Sequence, residues 1–236
     1  MTPDRSLPIA MFDSGVGGLT VLHECLVSLP AEDFVYLGDS AHFPYGTKSA
    51  EELRERVVAN TELLLERGAK LLIVACNSAT SAGAEAAREI AAAHGIEVVT
   101  VIGPEAEIAA AISGTGRVGV LATPATVAGG AYRRALEAQG RELEVTEVSA
   151  PDLAPIIQNG FPFDQSVVDS ARFYCEPLRA AEVDTLILGC THYPLVAPML
   201  QRILGRDVRL RRPCDRRHRP AAPRGAGARD AGERRG

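Results

Sequence analysis

Two cysteines, Cys76 and Cys190, occupy positions where a thiol could take part in chemistry. Each directly follows a short apolar run and precedes polar residues, Asn77-Ser78 in one case and Thr191-His192 in the other. Such a position is where a strand leaves the core at its carboxyl end, and ligands bind to open parallel sheets at that edge. Position alone leaves two interpretations equally open, a reactive thiol or a small buried hydrophobic residue.

Two thiols that face one cleft from opposite sides suit the inversion of a stereocentre. Inversion removes a proton from one face of a carbon and delivers a proton to the other face, so two acid/base groups must flank that carbon. A thiol has a reference pKa of about 8.5, and both of its protonation states are accessible near neutral pH. A helix N-terminus beside each thiol would favour the thiolate, and both cysteines lie in predicted strand-to-helix turns.

Other polar side chains lie near predicted strand ends and could assist the thiols. His192 follows the second thiol by two residues and could protonate, orient or ionise it. Asp13 and Asp39 each end an apolar run, where a carboxylate is costly unless it has a purpose, and the alternative for both is loop capping. Cys25 and Cys175 lie inside helical patterns and are interpreted as packing residues.

Two glycine-containing segments resemble phosphate-binding loops only weakly. Gly15-Val16-Gly17-Gly18 follows the first predicted strand, but Thr20 stands where the dinucleotide fingerprint requires its last glycine. The segment GTKS (46–49) lacks the upstream spacing of a P-loop. Both are interpreted as backbone turns at helix starts that favour anions.

Short apolar runs that alternate with amphipathic stretches must position these side chains. The runs are rich in Val, Ile and Leu and contain few alternating polar residues, which is typical of strands buried on both faces. They span residues 7–12, 34–38, 70–75, 97–101, 117–122, 143–149, 184–189 and 207–210. The alternation predicts the α/β class with parallel sheets.

Local signals predict where several helices begin and end. Ser49 and Glu52 form a capping-box pair, and Gly68 lies where that helix should stop. An Ala-rich stretch, 79–94, predicts the next helix. Pro177 is expected to interrupt or kink the last long helix.

An internal repeat divides the chain into two similar α/β halves. The first three runs begin near 7, 34 and 70, and a second set begins near 117, 143 and 184, with offsets of about 110, 109 and 114 residues. Cys76 and Cys190 follow the third run of each set. We therefore expect two parallel-sheet domains related by pseudo-two-fold symmetry, with the active site in the cleft between them.

Composition and charge exclude several classes of function. The chain has 236 residues, is 46% hydrophobic and contains no apolar run approaching the about 20 residues that cross a bilayer, so a cytoplasmic protein without a membrane span is expected. Its five cysteines show no CxxC pair and no metal-ligand spacing, so neither a disulfide framework nor a metal site is expected. Residues 1–210 carry a net charge of −11, which argues against nucleic acid as the main ligand.

Five segments of this chain, in the same order, closely resemble the signature segments of glutamate racemases. They cover about residues 1–210 and are FDSGVGGLTVL (12–22), YLGDSAHFPYGTKS (36–49), ACNSAT (75–80), VLATPATV (120–127) and GCTHYPL (189–195). The resemblance implies interconversion of L- and D-glutamate without pyridoxal phosphate, metal or any other cofactor. It further implies that the product supplies peptidoglycan synthesis, and it is compatible with a homodimer.

The resemblance also assigns roles to individual residues. It implies that Cys76 acts on the D-enantiomer and Cys190 on the L-enantiomer, with Asp13 assisting the first thiol and His192 the second. Asp39 is a further candidate for an assisting role. The residues implied to hold the substrate through backbone N–H groups and hydroxyls are Asp13, Ser14, Tyr45, Gly46, Asn77, Ser78, Thr191 and His192.

The resemblance predicts the domain boundaries as well. It implies a first domain over 1–98 completed by a return strand near 206–210, and a second domain over 99–205. After Leu210 it stops. Residues 211–236 hold nine Arg against three acidic residues and no large apolar side chain, so we predict a disordered tail, read either as a reading-frame shift or as a genuine basic tail.

Two residues depart from the family pattern inside the resembling part. Ser78 replaces a usual Thr and keeps the hydroxyl, so little effect is expected. Gln158 and Asn159 lie where family members carry a carboxylate near the second thiol, and two interpretations stay open, with Gln158 in the place of an assisting Glu or with no assisting group there. The alternatives are aspartate racemase or another two-cysteine isomerase of the superfamily, since one methylene is worth only about 1–3 kcal/mol. From another class, the alternative is a catalytically weak binding protein with an altered C-terminus.

Overall fold

In a computed structural model, which describes residues 4, 6–160 and 165–212, the chain forms two four-stranded parallel sheets with helices against them. Within this described part the strands are β1 (Ile9–Asp13), β2 (Phe34–Gly38), β3 (Leu71–Val74), β4 (Glu97–Thr100), β5 (Arg117–Ala122), β6 (Glu144–Ser149), β7 (Thr185–Gly189) and β8 (Arg209–Arg211). The helices are α1 (Leu19–Ser28), α2 (Ala50–Glu66), α3 (Asn77–Ala93), α4 (Ile102–Ile112), α5 (Pro124–Ala128), α6 (Ala131–Glu137), α7 (Leu153–Asn159), α8 (Gln165–Ala180) and α9 (Ala197–Leu204).

The two sheets have the same strand order, which confirms the predicted α/β class and the predicted repeat. The first sheet runs β2-β1-β3-β4, and the second runs β6-β5-β7-β8. The fourth strands, β4 and β8, begin 112 residues apart, at Glu97 and Arg209, close to the offsets of the other three pairs. The repeat therefore extends over four strands in each half.

The predicted return strand near 206–210 belongs to the other domain. Strand β8 pairs in parallel with β7, with Leu186 opposite Leu210, so it completes the second sheet and not the first. The first sheet is completed instead by β4, which pairs with β3. The predicted division between residues 98 and 99 consequently falls inside β4. The reason is local, because β4 and β8 each follow the helix after the third strand of their own half.

Helix boundaries follow the local signals closely. The Ser49 hydroxyl accepts the Glu52 N–H, and the Glu52 carboxylate accepts the Ser49 N–H, so the capping box begins α2 as predicted. Gly68 follows the end of α2 with φ of 83°, a conformation that favours glycine. Pro177 lies inside α8, which continues to Ala180, so the predicted interruption is wrong.

The sheets share a continuous hydrophobic core. One cluster joins Met11 and Ile73 of the first sheet to Val120 and Ile187 of the second, with Ala106 of α4 between them. A buried Val, Leu or Ile side chain contributes about 1.5–3 kcal/mol, so this cluster holds the two halves together. On the other side of the first sheet, α2 and α3 approach so closely that a Cβ on Gly83 would lie 2.7 Å from Val57. That packing fixes the start of α3, where Cys76 lies.

Arg211 was predicted to begin the tail, but it ends β8 and its side chain is buried. The predicted disorder is therefore wrong for this residue. The rest of the tail, from 213 onward, lies outside the described residues. None of the helices that the structure describes is long and apolar enough to cross a membrane.

Candidate active site

Cys76 lies between the end of β3 and the first turn of α3. It is the N-cap residue of that helix, and its Sγ accepts the Ala79 N–H at 3.5 Å. The helix forms here because an Ala-rich sequence follows a residue in extended conformation, which leaves the first backbone N–H groups directed at the sulfur. These N–H groups and the helix dipole favour a negatively charged sulfur.

Cys190 lies at the equivalent point of the second half, directly after β7. Its Sγ lies 3.8 Å from Nδ1 of His192. Backbone N–H groups of His192 and Tyr193 also act on this sulfur and lower its pKa. Like Cys76, Cys190 is buried.

Both sulfurs line one cavity at the carboxyl ends of the two sheets. Ser14, Thr123 and Cys190 each follow the last residue of a strand and meet there with Cys76. The full lining consists of Ser14, Phe43, Pro44, Tyr45, Gly46, Cys76, Asn77, Ser78, Thr123, Pro151, Ala154, Pro155, Cys190, Thr191 and His192. The structure thus brings together every predicted site residue except Asp13, which lies behind the lining, and Asp39.

The cavity is small. Its volume is about 20 Å³, and by this measure a single water fills about 10–15 Å³. An amino acid therefore needs more room than this conformation of the cavity offers.

Asp13 is fully buried at the end of β1 and is held by the glycine-rich turn that follows. Its carboxylate accepts the N–H groups of Gly18 at 2.9 Å and Gly15 at 3.3 Å, and the Thr191 hydroxyl at 3.3 Å. The turn at Gly15–Gly18, interpreted from sequence as a site for an anion, therefore binds a carboxylate of the protein itself. Burial raises the pKa of Asp13 to about 6, against the lowering effect of these hydrogen bonds.

Burial leaves both thiols protonated near neutral pH in this cavity. Burial raises the pKa of Cys76 far above its usual range, and the negative charge of Asp13 raises it further. Burial also raises the pKa of Cys190 to about 12, again with a contribution from Asp13. Asp13 therefore lies close enough to act electrostatically on both thiols, and not only on Cys76 as the resemblance implies.

His192 is a neutral imidazole oriented by Gln158. Burial lowers the pKa of His192 to about 4. Its Nε2 lies 2.7 Å from Oε1 of Gln158, an atom that can only accept, so the ring hydrogen is on Nε2. Nδ1 is then free to accept the Cys190 S–H. Gln158 thus orients the imidazole at the position where the resemblance implies a carboxylate, whereas Asn159 is exposed to solvent.

Asp39 does not line the cavity and instead supports one of its walls. Its carboxylate accepts the Tyr45 hydroxyl at 2.5 Å and pairs with His42 Nδ1 at 2.6 Å. Asn60 donates to the same tyrosine oxygen at 3.0 Å. The turn held in this way reaches the second half, because a Cβ on Gly46 would lie 2.7 Å from the Cβ of Thr123.

Two residues at the start of α3 contact the second half. The Ser78 hydroxyl lies 2.8 Å from that of Thr123 and 3.2 Å from that of Thr126. Asn77 Nδ2 donates to the Tyr132 hydroxyl at 2.7 Å. The N-terminus of α3 is therefore bonded to both α5 and α6.

Sequence reasoning missed several residues that shape the cavity. Tyr36 donates to the Gly15 carbonyl at 2.5 Å and so fixes the glycine-rich turn. Phe43 packs against the His192 ring with centroids 5.5 Å apart. The segments YLGDSAHFPYGTKS and VLATPATV contain Tyr36, Phe43 and Thr123, but no spacing within them indicates these contacts.

Among the described residues, no group of three or more His, Cys, Asp or Glu side chains is placed to hold a metal ion. The polar groups around the cavity are hydroxyls, amides, an imidazole, two thiols and backbone N–H groups. Such groups can bind a small zwitterion and exchange protons with it.

Comparisons with known proteins agree with this arrangement. Residues 19–212 match the model of the Asp/Glu/hydantoin racemase family. The chain is 43% identical over 203 residues to a glutamate racemase of Mycobacterium tuberculosis, covering 86% of this chain and 73% of that protein. The glutamate racemase isoform of Bacillus anthracis superposes with a TM-score of 0.85 at 36% identity, over 89% of this chain and 78% of the other.

A third relative is a structure of the Francisella tularensis glutamate racemase in complex with D-glutamate. It superposes with a TM-score of 0.81 at 33% identity, over 89% of this chain and 77% of that one. The two α/β halves with a shared cavity are thus those of a racemase. The chain belongs to the Asp/Glu/hydantoin racemase family, and within that family it is similar to the amino-acid racemases named glutamate racemase.

Proposed function

We propose that this protein interconverts L- and D-glutamate by two-base proton transfer between Cys76 and Cys190. The observation that carries the proposal is that the two thiols, each from the third strand of one half, line a single cavity. The similarity to glutamate racemases supports glutamate as the substrate. D-Glutamate made in the cytoplasm for peptidoglycan synthesis is part of the same proposal.

In the proposed reaction one sulfur is a thiolate and the other a thiol. The thiolate takes the Cα proton, the electron pair of the C–H bond stays on Cα, and the opposite thiol delivers its proton to the other face. The two sulfurs exchange protonation states in each turnover. Cys76 acts on D-glutamate and Cys190 on L-glutamate.

The first thiolate must form in a site that disfavours it, since burial raises the pKa of both thiols. The α-ammonium group of the substrate brings a positive charge that offsets the charge of Asp13 and stabilises a thiolate. In this proposal His192 Nδ1, 3.8 Å from the Cys190 sulfur, accepts the proton of Cys190. The Asp13 carboxylate, with a pKa of about 6, is ionised above that pH and is the corresponding group on the other side.

The test is incubation of the full chain with L-glutamate in D₂O, following Cα exchange by NMR and the enantiomer ratio by chiral chromatography. We expect D-glutamate with deuterium at Cα. Cys76→Ser and Cys190→Ser should each abolish racemisation in both directions, whereas Cys25→Ser, on α1 and outside the cavity, should retain it.

Three results would overturn the proposal or a part of it. Near-normal racemisation in either cavity variant would exclude the two-thiol mechanism. A higher kcat/KM with aspartate than with glutamate would identify aspartate as the substrate. A full chain that binds glutamate without racemising it would indicate a binding protein.

A further inference from the structure

A buried carboxyl group, that of Glu105, lies outside the mechanism proposed above. Glu105 is on α4, and its side chain is only 2% exposed. An ionisable group is costly to bury without partners, so its contacts indicate why it is there. The Tyr132 hydroxyl of α6 donates a hydrogen bond to its Oε2.

Tyr132 connects this carboxyl group to the cavity. The Tyr132 oxygen accepts Nδ2 of Asn77 at 2.7 Å, and Asn77 follows Cys76 directly and lines the cavity. A phenol has one hydrogen. Because Tyr132 gives that hydrogen to Glu105, its oxygen can only accept from Asn77, and the amide must turn Nδ2 towards Tyr132.

The other end of the amide is then left without a partner. Asn77 is 2% exposed, and its Oδ1 has no hydrogen-bond partner among the described residues. A buried carbonyl oxygen of this kind requires a donor. The only hydrogen-bond donor of a glutamate zwitterion is its α-ammonium group, because both carboxylates are ionised.

We propose that Glu105 is a positioning residue which, through Tyr132, orients the Asn77 amide so that its Oδ1 accepts a hydrogen bond from the α-ammonium group of the substrate. This inference rests on the proposed function, since it takes an amino acid as the ligand. Glu105 itself does not touch the cavity.

The protonation state of Glu105 controls the direction of these hydrogen bonds. An ionised carboxylate accepts from Tyr132, whereas a protonated carboxyl can donate to it, and Tyr132 can then donate to Oδ1 of Asn77 and take that acceptor from the substrate. Burial raises the pKa of Glu105 to about 8, and the Tyr132 hydrogen bond, the charge of Arg211 on β8 and the nearby Asn77 amide oppose the rise. The titratable and charged groups that face Glu105 in the described structure are Tyr132 and Arg211.

The experiment compares steady-state racemisation by the full chain with that by Glu105→Gln and Tyr132→Phe. Gln keeps the volume of the side chain but can donate to Tyr132, so the amide of Asn77 loses its fixed orientation. At pH 9, where Glu105 is ionised, we expect KM for glutamate to rise about tenfold with kcat within about twofold, because a hydrogen bond to a charged group is lost in both ground and transition states. Glu107→Gln, an exposed residue of the same helix, should leave KM unchanged.

A pH profile separates positioning from a merely structural role. In the wild type KM should fall as the pH rises through the pKa of Glu105, and both variants should lose this dependence. The double variant should resemble either single variant, since both act through one chain of hydrogen bonds. If Glu105→Gln does not fold, Tyr132→Phe alone decides.

The inference is wrong if a folded Glu105→Gln or Tyr132→Phe protein keeps the wild-type KM and its pH dependence. That result would leave the proposed racemase function intact. Failure of the wild-type chain to racemise glutamate would instead refute the proposed function. The two failures are therefore distinguishable.

Discussion

We expect Gly17→Ala to displace the His192 side chain while leaving the fold stable enough to form, so that any loss of activity reflects the position of His192. A Cβ on Gly17 would lie 2.5 Å from His192 Nδ1 and 2.6 Å from Thr191 Oγ1. Ordinary contacts of this kind begin at 3.4 Å, so the imidazole must move by roughly 1 Å. The moved atom is the one that faces Cys190, at 3.8 Å in the wild type. A displacement of about 1 Å can reduce the rate of a positioned reaction by about 10²-fold.

We therefore expect kcat/KM for glutamate to fall by about 10²-fold in Gly17→Ala. Overpacking costs about 1–3 kcal/mol, so the variant should still fold, with a melting temperature lower by a few degrees. The matched control is Gly103→Ala in the first turn of α4, where no atom lies within 4 Å of the added carbon. It should keep full activity, but it should not gain the usual stability of a helical Gly→Ala change, because Pro104 follows and disfavours a Cβ on a helical residue before it. Wild-type activity in Gly17→Ala, or an equal loss in the control, would refute the reasoning.

Three further predictions concern protonation. His192→Asn should slow proton removal from L-glutamate more than from D-glutamate, because Nδ1 contacts only Cys190 of the two thiols; unequal changes in the deuterium isotope effects for the two enantiomers would show it. The folded pKa of His192, about 4, lies below the unfolded value of 6.5, so its contribution to stability is complete above pH 6.5 and is lost as the pH falls towards 4. Between pH 7 and pH 5, the free energy of unfolding measured with urea should thus fall by about 2 kcal/mol more in the wild type than in His192→Asn. The folded pKa of Glu105, about 8, lies above its model value of 4.5, so its contribution is complete below pH 4.5 and is lost as the pH rises through 8. Between pH 6 and pH 9, the free energy of unfolding of Glu105→Gln should therefore rise by about 3 kcal/mol relative to that of the wild type. A difference in unfolding free energy that does not change with pH would contradict a buried, titrating Glu105.

Local sequence predicts most of the fold because the signals are themselves local. Apolar runs locate all eight strands of the described residues, and the pair of Ser49 and Glu52 locates the start of α2. The assignment of β8 to the first sheet was wrong because Arg-Leu-Arg contains one apolar residue, and nothing in these three residues indicates which strand β8 pairs with. Its pairing with β7 depends on α9 returning the chain to the same half, which is a property of the packed structure.

The candidate site divides in the same way between what is local and what is not. Cys76 and Cys190 were found because each ends a strand and starts a helical turn. The partners of those residues were not found, because they are distant in the chain. Gln158 lies 34 residues before His192, and Tyr132 lies 55 residues after Asn77. Only the packing of the two halves brings these pairs together.

The repeat places the thiols symmetrically, but their neighbours are not symmetric, and this difference matters for the reaction. Cys76 receives a backbone N–H from α3, whereas Cys190 faces the neutral imidazole of His192. In the proposed reaction the two sulfurs would meet opposite faces of a single Cα, whose ammonium and carboxylate groups could not contact both halves alike. One half would then bind these charges while the other receives the side chain. We infer that the duplicated fold supplies the opposed acid/base pair, and that unlike neighbours such as Asn77 and His192 let the site bind a chiral substrate in either configuration.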